Sequence, residues 1–452
     1  AVGIMDAREY QGYIYYSMES RLGRVAVGSP TDWSGRDDDY ATFTNTDDEF
    51  HPLNEVNQVL YVGDKNYIAQ VDAGTFSANA LDMDTKFRVK SLGRYLTDLL
   101  IGTFVNIYNA LTEIFRWNTW SVSYSSSDEI PEVGINAFLK ADNYILVSCG
   151  RKGNIYSYDG TYLNQFKKIP GDWLLSNEAT IHPNASENYY GLPLFGLSNV
   201  SGNPAKQGIY SLGGYDRGYP KVLNLEWLIS AGGYAGVDIG AIKVVGTDLL
   251  VSWKYVATAT MTIATPCVVT WTAHGRSNGD QVIFSTTGAL PTGITAGTFY
   301  YVRVIDANTF HLYDTYAHAI ATSETTGRVN TSGNQGGTHS ITMYGIDKLD
   351  STTKVASAYF ATRVINSDRG NKKDLFGYVA YKSLPTGTSI KIYYKVNHDT
   401  SWTEANSTVD TDRKIIEIDE NLPEANIVRV KVELNSNSNN TPEVEQAEFF
   451  FN

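Results

Sequence analysis

Cysteine, basic runs and long apolar runs are what this sequence lacks. Two cysteines in 452 residues, Cys149 and Cys267, cannot build a disulfide framework, and they read as buried free thiols. No stretch approaches the ~18 apolar residues of a membrane-spanning helix. The most apolar long window, 95–115, is broken by Asp98, Asn106, Asn109 and Glu113. Charge is sparse, at 19%, and its balance is −13, which repels phosphate and argues against nucleic-acid specificity. The seven histidines are scattered. With no H-E-x-x-H, no paired C-x-x-C and no glycine-rich phosphate cradle, no metal, cofactor-binding or catalytic residue is assigned. The start, AVGIMDAREYQ, lacks the basic opening and apolar core of a signal peptide. Its missing initiator Met is expected to reflect processing or a missing leading segment.

What is abundant points to strands and turns. Tyrosine (31) and glycine (39) run high among many Val, Ile and Thr. One pattern recurs: an apolar strand, a Gly/Asp/Asn turn, and a second, aromatic strand. It occupies 12–28, 58–72, 98–118, 144–160 and 189–214, and DLLVSWKY (248–255) begins a sixth copy. Starts about 40 to 60 residues apart match the period of four-stranded propeller blades. The copy at 95–115 has helical propensity, but LLIGT and EIFRWN align with LYVGD and IAQVD, so strand–turn–strand is expected there. Ring closure is expected to pair YIYYS (13–17) with 358–366.

Between DLLVSWKY and MYGIDKLD lie about 85 residues of different composition, rich in Thr and poor in charge. Excised, they leave LLVSWKY followed by YGIDKLD, the layout of the other copies, so they read as a domain inserted into a loop. CVVTWTAHG, QVIFSTTG, TFYYVRVID and FHLYDT read as its strands, and 325–338 as the linker back. His274, Ser277 and Asp280 sit close together in the sequence. A catalytic triad must converge around an oxyanion hole, which residues of one tight hairpin cannot arrange, so they read as turn and strand-end residues.

This run resembles a small β module recurrent in the tail and tail-fibre proteins of tailed bacteriophages. Ala273-His274-Gly275, Gly279-Asp280, Gly288 to Gly293, Tyr300-Tyr301-Val302 and Thr309-Phe310 follow that family's order of motifs over about 50 residues. Arg276 departs from it, standing where the family more often has an apolar residue. From 368 a further segment alternates: Ile390, Ile392, Tyr394 and Val396 on one face, Lys391, Tyr393 and Lys395 on the other. It reads as a β-sandwich. Leu384-Pro385, Gly387 to Ser389, Tyr393 to Val396 and Trp402 resemble the domain that often follows a propeller in phage tail proteins.

Other candidate chemistry is weaker. RDDDY (36–40) and TDDEF (46–50) crowd carboxylates as a calcium site does, but without EF-hand spacing they read as solvated acidic loops. The acids of 410–420 alternate with apolar residues and should face water. SPTDWSG (29–35) lacks the residue order of a sialidase Asp-box. Trp117, Trp120, Trp173, Trp227 and Trp253 read mainly as wedge fillers between blades, with sugar platforms as the alternative. Sequons start at Asn184, Asn199, Asn330, Asn406 and Asn439.

The expectation is an all-β chain: a five- or six-bladed β-propeller (1–256, closing at 343–367), an inserted β domain (257–342) and a C-terminal β-sandwich (368–452). The resemblance implies a non-enzymatic structural component of a bacteriophage tail, at a tip, nozzle or fibre base. Its place would be the virion, its partners other tail proteins and further copies of itself around the tail axis. The alternatives are a receptor- or glycan-binding adsorption protein and a glycoside-active propeller, which would need two carboxylates facing across a sugar.

Overall fold

The computed structural model describes residues 4–28, 35–45, 50–105, 111–141, 144–150, 154–168, 180–198, 207–213, 222–227, 237–322, 325–349, 357–362, 365–366, 372–397, 399–411, 414–437 and 440–451. They fall into two units, Ala1–Leu349 and Asp350–Asn452. In the first unit the chain lays down one antiparallel four-stranded sheet after another. The first holds β1 (Asp6–Tyr10), β2 (Tyr13–Ser17), β3 (Arg21–Ala26) and β4 (Asp37–Thr42). The second holds β5 (Leu53–Val56), β6 (Val59–Asp64), β7 (Tyr67–Asp72) and β8 (Thr75–Asp82). The third holds β9 (Phe87–Tyr95), β10 (Asp98–Val105), β11 (Thr112–Trp117) and β12 (Ser126–Ile130). The fourth holds β13 (Ile135–Ala141), β14 (Tyr144–Cys149), β15 (Asn154–Tyr158) and β16 (Leu163–Lys168). The fifth holds β17 (Thr180–Tyr189), β18 (Leu192–Ser198), β19 (Gly208–Gly213) and β20 (Val222–Trp227). The ambiguous stretch at 95–115 is therefore strand on both sides of 106–110, which lie outside the described residues.

Local chemistry makes these hairpins. Gln11-Gly12, Asn57-Gln58, Ala73-Gly74 and Tyr190-Gly191 each take two consecutive positive φ values. That is the type I′ geometry whose twist matches the flanking strands. Each repeat legible in the sequence is the second and third strand of a sheet. These middle strands are buried, as in VLYVGD and YILVSC.

Neighbouring sheets share cores. Tyr15 and Leu22 of the first pack with Leu60 and Val71 of the second. Tyr61 and Ile68 of the second pack with Phe115 and Trp117 of the third, where the Tyr61 and Trp117 rings meet edge-on at 5.5 Å. Leu100 and Ile114 of the third join Val147 and Tyr158 of the fourth. The row then turns back on itself. Sheets stacked face to face lie about 10 Å apart, so a straight row would hold the first and fifth about 40 Å apart. Instead Asn184 Nδ2 of β17 donates to Asp6 Oδ1 of β1 at 2.9 Å, and the Phe50 and His182 rings lie 4.9 Å apart.

A sixth sheet follows, and it merges with the insert. It consists of β21 (Asp238–Val245), β22 (Asp248–Met261) and, after the insert, β27 (His339–Lys348). The two flanks pair as the excision argument expects, from Leu250 opposite Lys348 to Ala259 opposite His339. Between them come β23 (Val268–Thr270), β24 (Gln281–Thr286), β25 (Phe299–Val304), β26 (Thr309–Tyr313) and the short α1 (Tyr316–Ile320). Pairing runs β22–β23–β26–β25–β24–β27 and returns to β22, a closed six-stranded barrel. Its core holds Trp271, Phe284, Phe310 and Ile341. The boundaries expected at 257 and 342 thus fall inside strands shared by sheet and barrel. The stretch read as a linker is a packed loop, bridging Thr292 to Ser332 and Ala289 to Gly336. Gly345 shows how tightly β22 and β27 pair: a Cβ there would lie 2.1 Å from Cζ2 of the facing Trp253 ring. Gly345→Val is expected to cost about 1–3 kcal/mol by overpacking, readable as a lower urea midpoint.

The expected ring closure is corrected. Residues 13–17 pair only within the first sheet. Ser357–Ala361 (β28) and Ile365–Asn366 (β29) pair with β34 (Ile427–Asn435) of the second unit. That unit has one sheet of β28, β29, β31 (Ser389–Val396), β32 (Thr403–Thr408) and β34 (Ile427–Asn435). A second sheet holds β30 (Lys372–Tyr381), β33 (Ile415–Ala425) and β35 (Val444–Phe451). Ile390, Ile392, Val430 and Val432 of one sheet pack against Leu375, Val379, Ile416 and Ile418 of the other. This is the layering expected of 368–452, beginning earlier in the chain. Ile416 and Ile418 are buried while Glu417 and Asp419 face water, as the alternation required. No helix among the described residues is long and apolar enough to cross a membrane.

Candidate functional site

The first strands of the sheets carry polar residues inward, and these meet where the row of sheets turns back. Asp6 is 7% exposed. Its Oδ1 accepts from the amide of Ala7 at 2.7 Å and from Asn184 Nδ2 at 2.9 Å; Oδ2 accepts from the amide of Leu53 at 2.7 Å. Burial pushes its pKa up to about 6, with the three hydrogen bonds and the Arg8 charge opposing. His182, from β17, is held down to about 4 by burial and by the charge of Lys90, against its backbone contact with Gly240. Lys90 Nζ donates to Asn136 Oδ1 at 2.7 Å, linking β9 to β13. Asn136 Nδ2 in turn donates to the carbonyl of Gly150 at 2.8 Å.

A carboxyl near pKa 6 has the acidity of a general acid. Asp6, however, spends both oxygens on donors from three sheets or their strands. It fastens the first, second and fifth sheets together and presents no free edge to a substrate. An open depression of ≈ 470 Å³ lies at the other end of β1, lined by Glu9, Tyr10, Gln11, Glu55 and Gln58 at the first turns of sheets one and two. There the Tyr10 hydroxyl donates to the carbonyl of Gln58 at 2.7 Å.

The residues singled out in the sequence have structural partners. His274 is buried. Its Nε2 lies 2.8 Å from the carbonyl of Asp306 and its Nδ1 accepts from the amide of Arg276 at 2.9 Å. Its ring meets Phe310 edge-on at 5.2 Å. Asp280 accepts from the amide of Ser277 at 3.0 Å and pairs with Arg276 at 3.3 Å. The stretch at 36–40, expected as a loop, forms the edge strand β4. There Asp37 pairs with Arg24 at 3.8 Å, Asp38 with Arg36 at 2.9 Å, and Asp39 with Arg21. Charges on an exposed edge discourage pairing with another chain. Asp47, Asp48, Glu49, most of 29–35, Trp173, Asn199 and Asn439 lie outside the described residues. No group of potential metal ligands is found among the described ones. Cys149 and Cys267 are free and buried. Trp117 is core, Trp227 and Trp253 are partly buried, and Trp120 is 83% exposed. Asn184 is spent on Asp6.

A second polar constellation went unread. On the outer face of the larger sheet of the second unit, β31 and β34 set Tyr393 opposite Lys431 and Lys395 opposite Arg429. Lys431 Nζ lies over the Tyr393 ring at 3.9 Å and within 5.7 Å of the Tyr359 and Trp402 ring centres. Lys395 Nζ is 5.0 Å from the Trp402 centre. Lys431 pairs with Glu433 at 3.0 Å and Lys391 with Glu404 at 3.2 Å. Alternation in SIKIYYKV foretold the Lys and Tyr of this face. Tyr359 and Trp402 come from segments with no such pattern.

No protein-family model matches the chain, and no curated protein matches it. Solved structures similar to it include the computationally designed Ika8 protein, at 12% identity and TM-score 0.34 over 59% of this chain and 70% of that one. An exo-beta-1,3-galactanase from Phanerochaete chrysosporium matches at 10% and 0.31 over 88% and 95%. The N-terminal domain of Nup159 matches at 10% and 0.32 over 55% and 72%. No activity passes from these proteins to this chain. Its own pairing establishes an all-β fold of repeated four-stranded antiparallel sheets, of the kind that form propeller blades, with a small six-stranded barrel.

Proposed function

We propose that this chain is a structural component of a bacteriophage tail: a propeller with a barrel built into its last blade and a C-terminal sandwich. It works through interfaces with other virion proteins and with copies of itself around the tail axis. The reading rests on the motif run of 270–314, whose order is that of the phage-tail β module. Two further features favour it. The barrel shares β22 and β27 with the sixth sheet, which suits a part that must hold its angle inside a permanent assembly. Trp120 and Val122, 83% and 96% exposed, stand on the turn after β11 as apolar contact points.

The test is mass spectrometry of purified virions of the phage that encodes the chain. Peptides of this protein are expected at a copy number fitting a symmetric ring. Their absence from intact particles overturns the reading. A second reading, glycan binding during adsorption, is favoured by the aromatic and cationic face of the second unit.

A further inference from the structure

We propose that the outer face of the β28–β34–β31–β32 sheet binds an acidic sugar, with the carboxylate held by Lys395 and Arg429 and the sugar ring laid on Trp402. This deepens the second reading above and does not depend on the tail assignment.

The charges of this face are arranged for an anion. Lys395 and Arg429 stand directly opposite on paired strands. Like charges so placed repel. Among the described residues neither takes part in an ion pair, whereas the neighbouring Lys391 and Lys431 each have a glutamate. Arg429 Nε is shielded from water with no hydrogen-bond partner, so an incoming acceptor meets the guanidinium at its two terminal nitrogens. A planar carboxylate offers the forked acceptor a guanidinium fits.

The rest of the face suits a sugar. Tyr359 is 68% exposed. It stands opposite Glu433, four residues along β34 from Arg429, or about 13 Å away. Its ring and that of Trp402 both lie within 5.7 Å of Lys431 Nζ, so the two can flank a short oligosaccharide. Glu404 and Glu433, paired to Lys391 and Lys431, are the acceptors this face offers to hydroxyl groups. A nucleic acid could also stack on these rings, but its phosphates bring no hydroxyl donors to the two glutamates, whereas each sugar ring does.

The experiment is titration calorimetry of the full chain with tetragalacturonate, a neutral tetrasaccharide, oligo-dT and inorganic sulfate. Tetragalacturonate is expected to bind with a millimolar or lower Kd that weakens with salt. Arg429→Met and Lys395→Met are each expected to lower affinity about tenfold or more, and Trp402→Ala by a similar factor. Lys243→Met, which breaks the ion pair with Glu187 in the first unit, is expected to leave binding unchanged. No binding of tetragalacturonate, wild-type affinity in K395M and R429M, or equal binding of the neutral sugar overturns the proposal. So does tighter binding of oligo-dT, or sulfate binding as well as the uronate does. K395M lies on the outer face and keeps the test available if W402A fails to fold.

Discussion

Replacing His182 by phenylalanine is expected to change how stability depends on pH, and to do so in the sense opposite to replacing Asp6. His182 is pulled down from 6.5 to about 4 by burial and by Lys90. The unfolded chain therefore takes up its proton first. The neutral ring contributes stability that is fully present above 6.5 and is lost as pH falls through 4, about 3 kcal/mol across the window. Asp6 runs the other way. Its pKa rises from 3.8 to about 6, so the folded chain binds the proton more tightly. That contribution is fully present below 3.8 and is lost as pH rises through 6, again about 3 kcal/mol. Between about pH 4 and 6 the two slopes oppose each other, and there this polar junction as a whole is nearly indifferent to acid. Urea denaturation from pH 4 to 7.5 separates them. The stability of wild type minus that of His182→Phe should shrink on acidification; for Asp6→Asn it should grow. A difference that stays constant with pH for His182→Phe would show that this ring is not held neutral by burial.

The same junction explains how much of the fold could be read in advance. Strands β6, β10, β14 and β18 are buried on both faces, so they announce themselves as apolar runs between turns. The first strands do not. DAREY and the β17 segment TIHPNASENY are polar, with Asp6 and Asn184 meeting at the junction and Arg8 and Glu9 facing water, and polar strands read as loops. The outer strands fail for the opposite reason. Those of DDDYAT, SSDEI and LNQFKK are largely exposed, so their composition is set by solubility and edge protection. The closing strand falls elsewhere than expected because the aromatic, strand-prone run at 358–366 marks a strand without naming its partner. The face holding Lys395 and Arg429 was half legible. Its lysines follow from period two, but the repulsion between two cations depends on register, which is set by pairing across about 35 residues of chain.

Phe310→Ala tests the joining of barrel and sheet, and its effect should be the largest of any single change considered. Phe310 is fully buried in the barrel core and carries the edge contact to His274. Truncating such a ring costs about 3–5 kcal/mol from lost burial and the cavity left behind. How far that loss spreads is the informative part. An insert joined by flexible linkers would soften alone, and hydrogen exchange at Leu249 to Trp253 would stay slow. Here β22 pairs with β21 through Val244–Leu249 and Ile242–Val251, then continues unbroken to pair with β23 at Thr260 and Met261. Its partner β27 likewise pairs with β24 at one end and only with β22 at the other. Loss of barrel core therefore withdraws support from half of each long strand. Protection at Leu249 to Trp253 and at Tyr344 to Lys348 is expected to fall together with that of β24 to β26, while the second and third sheets keep theirs. Unchanged exchange in the sixth sheet would mean that barrel and sheet unfold as separate units despite their common strands.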